Sequence, residues 1–165
     1  MQIKKNDFSN LGNKRIKNYK LTPLAKHKTI KEKTLYLQLE RTTKAIREKF
    51  NSAGILKSQG LSFEQWLIID TIGKNEGIHQ KLIVQELAKE PASVSRLIQK
   101  LVDQKLVSKS KDDVDKKIQH LALTAFGKHF YEESKKSINK EFKELFSSVF
   151  EREIYLVIDI LKRIK

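Results

Sequence analysis

An amphipathic pattern in the middle of the chain restricts the fold more than any other feature. Residues 91 to 104 carry apolar side chains at positions i, i+3, i+4, i+7 and i+8, the spacing of one helix face. These side chains are Val94, Leu97, Ile98, Leu101 and Val102. Pro91 suits the first turn of this helix, because its missing N–H would have no intrahelical acceptor there. We therefore predict a helix that buries its apolar face and presents a polar face outward.

A second short helix and two strands are predicted around this helix. Residues 79 to 87 have a helical pattern, and residues 88 to 90 form a tight connection to the helix that follows. Residues 106 to 111 and 118 to 123 are predicted as strands that flank a charged turn. The predicted order is a helix-turn-helix followed by a β-hairpin.

Longer helices are predicted on both sides of this unit. Residues 29 to 53 place Leu35, Leu39 and Ile46 on one helix face, and Gly54 is expected to end that helix. Further helices are predicted after residue 62, after residue 124 and in the last residues of the chain.

Capping residues mark the expected starts of these helices. Ser62 and Gln65 have the spacing of a capping box, Thr124 suits an N-cap, and Ser148 with Glu151 has the spacing of a second capping box. The prediction is a mainly α chain with a small β-hairpin, of the α+β class.

The charge of the chain favours a polyanionic partner. Among 165 residues, 34 are Lys or Arg and 20 are Asp or Glu, which gives a formal net charge of +14. Residues 1 to 28 hold eight of the basic residues and one acidic residue, so half of the net charge lies in this segment. Such an excess favours nucleic acid or an anionic surface. The segment is either a DNA-binding arm or a solvated tail.

Several classes of site are not expected. The absence of cysteine excludes disulfides, thiolate metal sites and thiol-based redox sensing. The four histidines, His27, His79, His120 and His129, include no i, i+4 pair, so we predict no metal site. We find no nucleophile–base arrangement and no glycine-rich phosphate loop, and therefore predict neither enzymatic activity nor a cofactor.

No part of the sequence suggests a membrane. No apolar run reaches the roughly 20 residues that cross a bilayer, and residues 1 to 10 lack the apolar stretch of a signal peptide. We expect a cytoplasmic, nucleoid-associated protein.

Two stretches resemble the MarR family of winged-helix regulators. Residues 80 to 101 are similar to the family's helix-turn-helix, with Ile83 and Val84 at its Leu-Ala pair. The family's wing signature, Asp-x-Arg and then Val-x-Leu-Thr-x-x-Gly, falls on Asp115, Lys117, Leu121, Leu123, Thr124 and Gly127. The resemblance spans residues 29 to 165.

The chain departs from the family pattern at two lysines. Lys117 replaces the usual wing arginine, and an ammonium suits a narrow minor groove less well than a flat guanidinium does. Lys105 replaces the usual glycine after the second helix, so we expect Lys105 to adopt a left-handed conformation or the helix to end differently.

The resemblance implies a winged helix-turn-helix with long N- and C-terminal dimerisation helices. Residues 1 to 28 would be the basic arm and residues 29 to 165 a MarR-like domain. Within that domain, residues 29 to 54 and 125 to 165 would form the dimerisation helices, and residues 62 to 124 the DNA-binding lobe. The candidates for the partner surface are Leu35, Leu39, Leu156, Ile160 and Ile164. A two-fold homodimer would bind a palindromic operator through helices on the order of 34 Å apart.

The predicted DNA-binding residues lie on three elements. On the helix in the major groove we expect Arg96 or Gln99 to contact bases, and Ser93, Ser95 and Lys100 to contact phosphates. From the preceding helix we expect His79, Gln80 and Lys81 to contact the DNA backbone. From the hairpin we expect Lys109, Lys111, Lys116 and Lys117 to flank the minor groove, with Asp115 orienting nearby basic groups.

The regulation of such a protein is also suggested by the resemblance. Family members release DNA in response to a small aromatic anion or to cysteine oxidation, and only the first route is open to this chain. A ligand pocket would involve Trp66, Phe50 or Tyr36, although we favour a position in the hydrophobic core for these rings. The prediction is a homodimeric, sequence-specific regulator of transcription, a repressor that responds to a ligand. The alternative is an architectural or nonspecific binder of DNA or RNA.

Overall fold

The structure of the protein is a computed structural model that describes residues 28–111 and 119–164. In chain order its elements are α1 (Lys28–Asn51), α2 (Gly54–Ser58), α3 (Phe63–Lys74), β1 (Ile78–His79), α4 (Gln80–Leu87), α5 (Pro91–Asp103), β2 (Val107–Lys111), β3 (Gln119–Leu123), α6 (Ala125–Leu145) and α7 (Glu151–Arg163). Mostly helical structure with one small antiparallel sheet confirms the predicted fold class.

The chain divides into two compact units, residues 1–41 and residues 42–165, and α1 runs through the boundary. In the first unit, Leu35, Tyr36 and Leu37 of α1 are exposed. The predicted basic arm lies outside the described residues, apart from the first residue of α1.

The core of the second unit is built on the apolar faces of α3 and α5. Their fully buried side chains are Ile68, Ile69, Ile72, Val94, Ile98 and Leu101. The spacing of these residues is that of one helix face, so each helix buries a continuous stripe. Burial of a side chain of this size contributes roughly 1.5 to 3 kcal/mol, and the stripe therefore fixes which face of each helix points outward.

The sheet has the strand order β1-β3-β2, and both pairings are antiparallel. Val107 pairs with Leu123, and Ile78 pairs with Leu121, which is fully buried. The hairpin of β2 and β3 was predicted, whereas β1 was not, because two residues are too few to show an alternating pattern.

Two of the predicted helix boundaries need correction. Gly54 begins the extra helix α2 instead of simply ending α1, which stops at Asn51. The capping box predicted at Ser148 is wrong: α7 begins after Phe150, whose N–H donates to Glu153 Oε2 at 2.9 Å. The box at Ser62 is confirmed, with Gln65 N–H donating to Ser62 Oγ and Ser62 N–H donating to Gln65 Oε1.

Candidate nucleic-acid interface

The outward face of α5 carries the polar side chains that the sequence pattern places there. Because Val94, Ile98 and Leu101 are completely buried, the opposite side of the helix faces solvent. The exposed polar residues on α5 include Ser93, Ser95, Arg96, Gln99 and Lys100. Hydroxyl, guanidinium, amide and ammonium groups are therefore present on one accessible surface, although their contact with DNA stays a prediction.

Helices α4 and α5 are each followed by a residue in the left-handed region. Ala88 has φ +46° in the turn between α4 and α5, and Lys105 has φ +59° after α5. Lys105 N–H donates to Val102 O and Leu106 N–H to Leu101 O, each at 2.9 Å, which is the Schellman arrangement. Of the two alternatives expected at Lys105, the left-handed conformation is the one observed, at a cost of about 1 kcal/mol relative to glycine.

The C-terminal end of α5 is tied to the start of α6 through Thr124. Its hydroxyl donates to Lys105 O at 2.6 Å and accepts from Gly127 N–H at 2.9 Å. Thr124 is thus the N-cap of α6, as predicted, and it also binds the carbonyl of the strained residue after α5. One side chain therefore joins the two helices.

Strand β2 places a lysine beside α5. Lys109 is partly buried, and its Nζ donates to Gln99 Oε1 at 3.0 Å. Gln99 Nε2 in turn donates to Asp103 Oδ1 at 2.8 Å. Lys111 is exposed at the end of the strand. The other predicted hairpin residues, Asp115, Lys116 and Lys117, lie outside the described residues.

The residues predicted at the start of α4 adjoin α5 in a surface cleft. The cleft has a volume of about 750 Å³ and is lined by His79, Gln80, Lys81, Leu82, Val84, Pro91, Ser95 and Gln119. In this cleft the three residues predicted to contact the DNA backbone, His79, Gln80 and Lys81, lie together with Ser95 of α5. Gln119 of β3 was not predicted as part of this surface, because its position depends on the register of the sheet.

His79 is less accessible than its predicted role suggests. It is partly buried, its ring lies 4.4 Å from that of His120 (centroid to centroid), and its Nδ1 is buried without a hydrogen-bond partner. His120 Nδ1 lies 2.9 Å from Gly77 O. His79 therefore belongs as much to the packing of β1 on β3 as to the outer surface.

A charged bridge that sequence reasoning missed connects α1, α3 and the turn before α5. Glu64 Oε1 lies 2.7 Å from Lys89 Nζ and 3.2 Å from Arg47 Nε. Glu64 is partly buried, so this contact is screened less than a pair at the surface. The three residues are far apart in sequence, and no local pattern could have identified them.

Perturbed ionisable groups occur elsewhere, at the end of α3. Hydrogen bonding to Asp70 raises the pKa of Lys74, and burial raises the pKa of the Tyr131 phenol, which lies 3.2 Å from Asp70. Both shifts favour the protonated form that each group already has at neutral pH. The cluster therefore presents no activated base or nucleophile.

The three rings predicted as possible ligand contacts differ in exposure. Phe50 and Trp66 are buried, and Phe63 lies 4.5 Å from the first ring and 5.9 Å from the second. Trp66 Nε1 donates to the buried Ser134 Oγ at 2.9 Å. Tyr36, in the N-terminal unit, is exposed. The core interpretation thus suits Phe50 and Trp66, and a ligand role stays a prediction.

The described residues contain neither a metal-binding cluster nor a membrane-spanning helix. Among them, no three His, Asp or Glu residues are grouped in a way that would hold a metal ion. No helix in residues 28–111 and 119–164 combines the length and apolar character that a membrane span requires.

The sequence is similar to known regulators across the segment that carries this surface. Residues 59–118 match the model of the MarR family. The chain is 26% identical over 134 residues to the uncharacterized HTH-type transcriptional regulator YdgJ of Bacillus subtilis (strain 168), covering 81% of this chain and 79% of the relative.

Solved structures share the fold over most of the chain. A MarR-family transcriptional regulator from Rhodococcus sp. RHA1 superposes with a TM-score of 0.69 at 18% identity, covering 81% of this chain and 93% of its own. CouR from Rhodococcus jostii RHA1, bound to p-coumaroyl-CoA, superposes with a TM-score of 0.68 at 18% identity. The match covers 79% of this chain and 90% of CouR. At these identities the likeness establishes the fold, and the family model and the relative add the sequence match. The chain therefore has the fold of MarR-family winged-helix regulators, and its residues 59–118 match the model of that family.

Proposed function

We propose that this protein is a homodimeric regulator that binds a specific double-stranded DNA operator through α5, and that it represses transcription until a small ligand binds. The observation that carries the proposal is the division of α5 into a completely buried apolar stripe and an exposed polar face. A B-DNA major groove admits one α-helix, and polar side chains on the outward face of that helix reach the base edges.

The chemistry of the exposed residues suggests their roles. Arg96 is suited to a guanine and Gln99 to an adenine, because each offers the matching hydrogen-bonding groups. Ser93, Ser95 and Lys100 are suited to phosphates, which fix the register of the helix in the groove. We assign contacts with the DNA backbone to the start of α4, through His79, Gln80 and Lys81. We assign further contacts to the hairpin, through Lys109, Lys111, Lys116 and Lys117. Asp115 would orient the nearby basic groups.

The dimer is supported by the exposed apolar surface of the last helix. No residue of α7 is buried in the protomer. Its exposed apolar side chains are Tyr155, Leu156, Val157, Ile158, Ile160 and Leu161, and Ile164 follows directly after the helix. A contiguous surface of this kind is typical of a protein–protein interface. In a two-fold dimer each half would contribute one α5, and the operator would be palindromic.

A ligand response is proposed by analogy. CouR has this fold and is bound to p-coumaroyl-CoA, an aromatic acyl thioester. We propose that a small aromatic anion binds this chain, with Trp66, Phe50 and Tyr36 as the candidate residues, and thereby lowers its affinity for the operator. Addition of aromatic carboxylates such as benzoate to the protein–operator complex tests this, and release of the duplex is the expected result.

The decisive experiment is selection of bound duplexes from a random pool by the full chain. We expect a single palindromic motif with half-sites about one DNA turn, on the order of 10 base pairs, apart. Recovery of no motif, or of a motif without symmetry, would contradict the proposal.

The net charge of +14 favours a second candidate, an architectural or nonspecific binder of polyanions. Such a protein gains its affinity from counterion release and loses it steeply with salt on every duplex. A specific regulator keeps a preference of roughly 10³-fold or more for its operator over random DNA at physiological salt. Competition between the selected duplex and random duplex across a salt series distinguishes the two.

A further inference from the structure

The Gln99 side chain is held at both ends of its amide by other residues of the protein. Its Nε2 donates to Asp103 Oδ1 at 2.8 Å, one helical turn further along α5, and its Oε1 accepts from Lys109 Nζ at 3.0 Å, on β2. Gln99 is nevertheless exposed on the outward face of α5. An exposed glutamine without such contacts rotates freely and would have to be ordered by its ligand.

The chemistry of the two partners permits only one orientation of the amide. An ammonium group can only donate hydrogen bonds, and a carboxylate can only accept them. Rotation of the amide by 180° would direct the NH₂ group of Gln99 at Lys109 and its carbonyl at Asp103, so both contacts would become repulsive. The carbonyl therefore faces β2, and the NH₂ group faces the C-terminal end of α5.

The two partners are themselves fixed by the fold. Lys109 is partly buried and lies opposite the fully buried Leu121 in the β2–β3 pairing, so the sheet holds its backbone. Asp103 is the last residue of α5, directly before the Schellman turn at Lys105. The orientation of Gln99 therefore depends on the packing of β2 against α5.

We propose that Asp103 and Lys109 are positioning residues that set the base preference of Gln99; this rests on the proposed function. A glutamine amide recognises adenine by donating to N7 and accepting from the N6 amino group, and the reversed amide does not fit the same edge. Neither Asp103 nor Lys109 needs to touch a base. They determine specificity by selecting which of the two amide orientations enters the groove.

The test measures the base preference at each position of the selected operator, using competition binding of duplexes with single base-pair changes. The variant Gln99→Ala first identifies the pair that depends on Gln99. At that pair we expect the wild type to prefer adenine by about tenfold, and Asp103→Ala and Lys109→Met to reduce this preference to about twofold. Preferences at the other pairs should not change.

Matched variants separate positioning from charge. Asp103→Asn removes the same charge as Asp103→Ala but keeps an oxygen that accepts from Gln99, so it should retain the tenfold preference. Lys111→Met removes a charge from the same strand, two residues beyond Lys109, and should weaken binding to all duplexes equally.

The outcomes distinguish this inference from the proposed function. If the wild type selects a motif and Asp103→Ala and Lys109→Met keep the full preference at the Gln99-dependent pair, the inference is overturned and the proposed function stands. The same conclusion follows if Gln99→Ala changes no base preference. If the wild type itself selects no motif, both are overturned.

Discussion

Gly127, in the first turn of α6, lies against the backbone of Leu106. A Cβ atom built on Gly127 would lie 2.0 Å from Leu106 O, a main-chain atom that cannot rotate away. The same Leu106 amide closes the turn after α5 by donating to Leu101 O. The absence of a side chain at position 127 thus lets the first turn of α6 pack directly against the turn that follows α5.

We expect Gly127→Ala to lower the free energy of unfolding by about 3 kcal/mol, because the added methyl group overpacks a rigid contact. Urea denaturation measures the change. Gly54→Ala is the matched control, since a Cβ there meets nothing within 4 Å and φ is not in the left-handed region. It should leave stability unchanged or raise it by about 0.5 kcal/mol. Equal destabilisation by the two variants would contradict the steric explanation.

Within the part of the chain that the structure describes, Arg96 makes one long hydrogen bond, from Nε to Ala92 O at 3.4 Å. We expect Arg96→Ala to cost about 1 to 3 kcal/mol of binding free energy on the selected operator and much less on random duplex, because a base contact is lost. Fluorescence anisotropy with both duplexes measures the difference. Lys100→Ala, one turn further along the same face, should weaken binding to both equally. If Arg96→Ala instead lost the same binding free energy on the operator and on random duplex, Arg96 would contact a phosphate.

The elements of this fold differ in how well the sequence predicts them. Helix α5 was predicted because its apolar stripe, from Val94 to Val102, repeats with the helical period over more than two turns. Strand β1 and helix α2 have two and five residues, too few for a period to appear, and their structure depends on pairing and packing. The start of α7 was misplaced because Ser148 and Glu151 have capping spacing, whereas the carboxylate that reaches back to the N-cap belongs to Glu153.

In the candidate interface, too, some features follow from sequence periodicity, whereas others depend on how the elements pack. The exposed polar face of α5 follows from periodicity, because burial of Val94, Ile98 and Leu101 determines what lies opposite them. The contacts of Gln99 with Lys109 and of Glu64 with Lys89 join different elements. Their existence depends on how strands and helices pack, which residue types and spacing do not specify.

Thr124 makes the connection between α5 and α6 sensitive to a single hydroxyl group. We expect Thr124→Val to lower the free energy of unfolding by about 1 to 2 kcal/mol, because the N-cap acceptor of α6 and the donor to Lys105 O are both removed. Thr124→Ser keeps the hydroxyl and should remain within about 0.5 kcal/mol of the wild type. Chemical denaturation compares the three proteins, and similar losses in both variants would show that the methyl group of Thr124 contributes as much to stability as its hydroxyl.

On the scale of the whole molecule, the last helix of the chain, α7, has no buried face in the protomer. Helices α3 and α5 and the sheet contribute buried side chains to the core of the second unit, whereas every residue of α7 remains at least partly exposed to solvent. An amphipathic helix stabilises a soluble protein mainly by burying its apolar face, so α7 gains little stability in an isolated protomer. A second copy of the chain would supply the missing surface, and it would also bring a second α5 to the DNA.

We expect the double substitution Leu156→Glu and Ile160→Glu to halve the molecular mass measured by light scattering, and to lower affinity for a palindromic operator far more than for an isolated half-site. The two side chains lie one turn apart on α7 and are 58% and 39% exposed in the protomer, so the core should remain intact and circular dichroism should stay unchanged. Leu82→Glu is the control, because Leu82 is 49% exposed on α4, outside both predicted dimerisation segments, and the variant should leave the mass unchanged. A wild-type protein with the mass of one protomer would contradict the dimer. A double variant that keeps twice the protomer mass would place the interface on another surface.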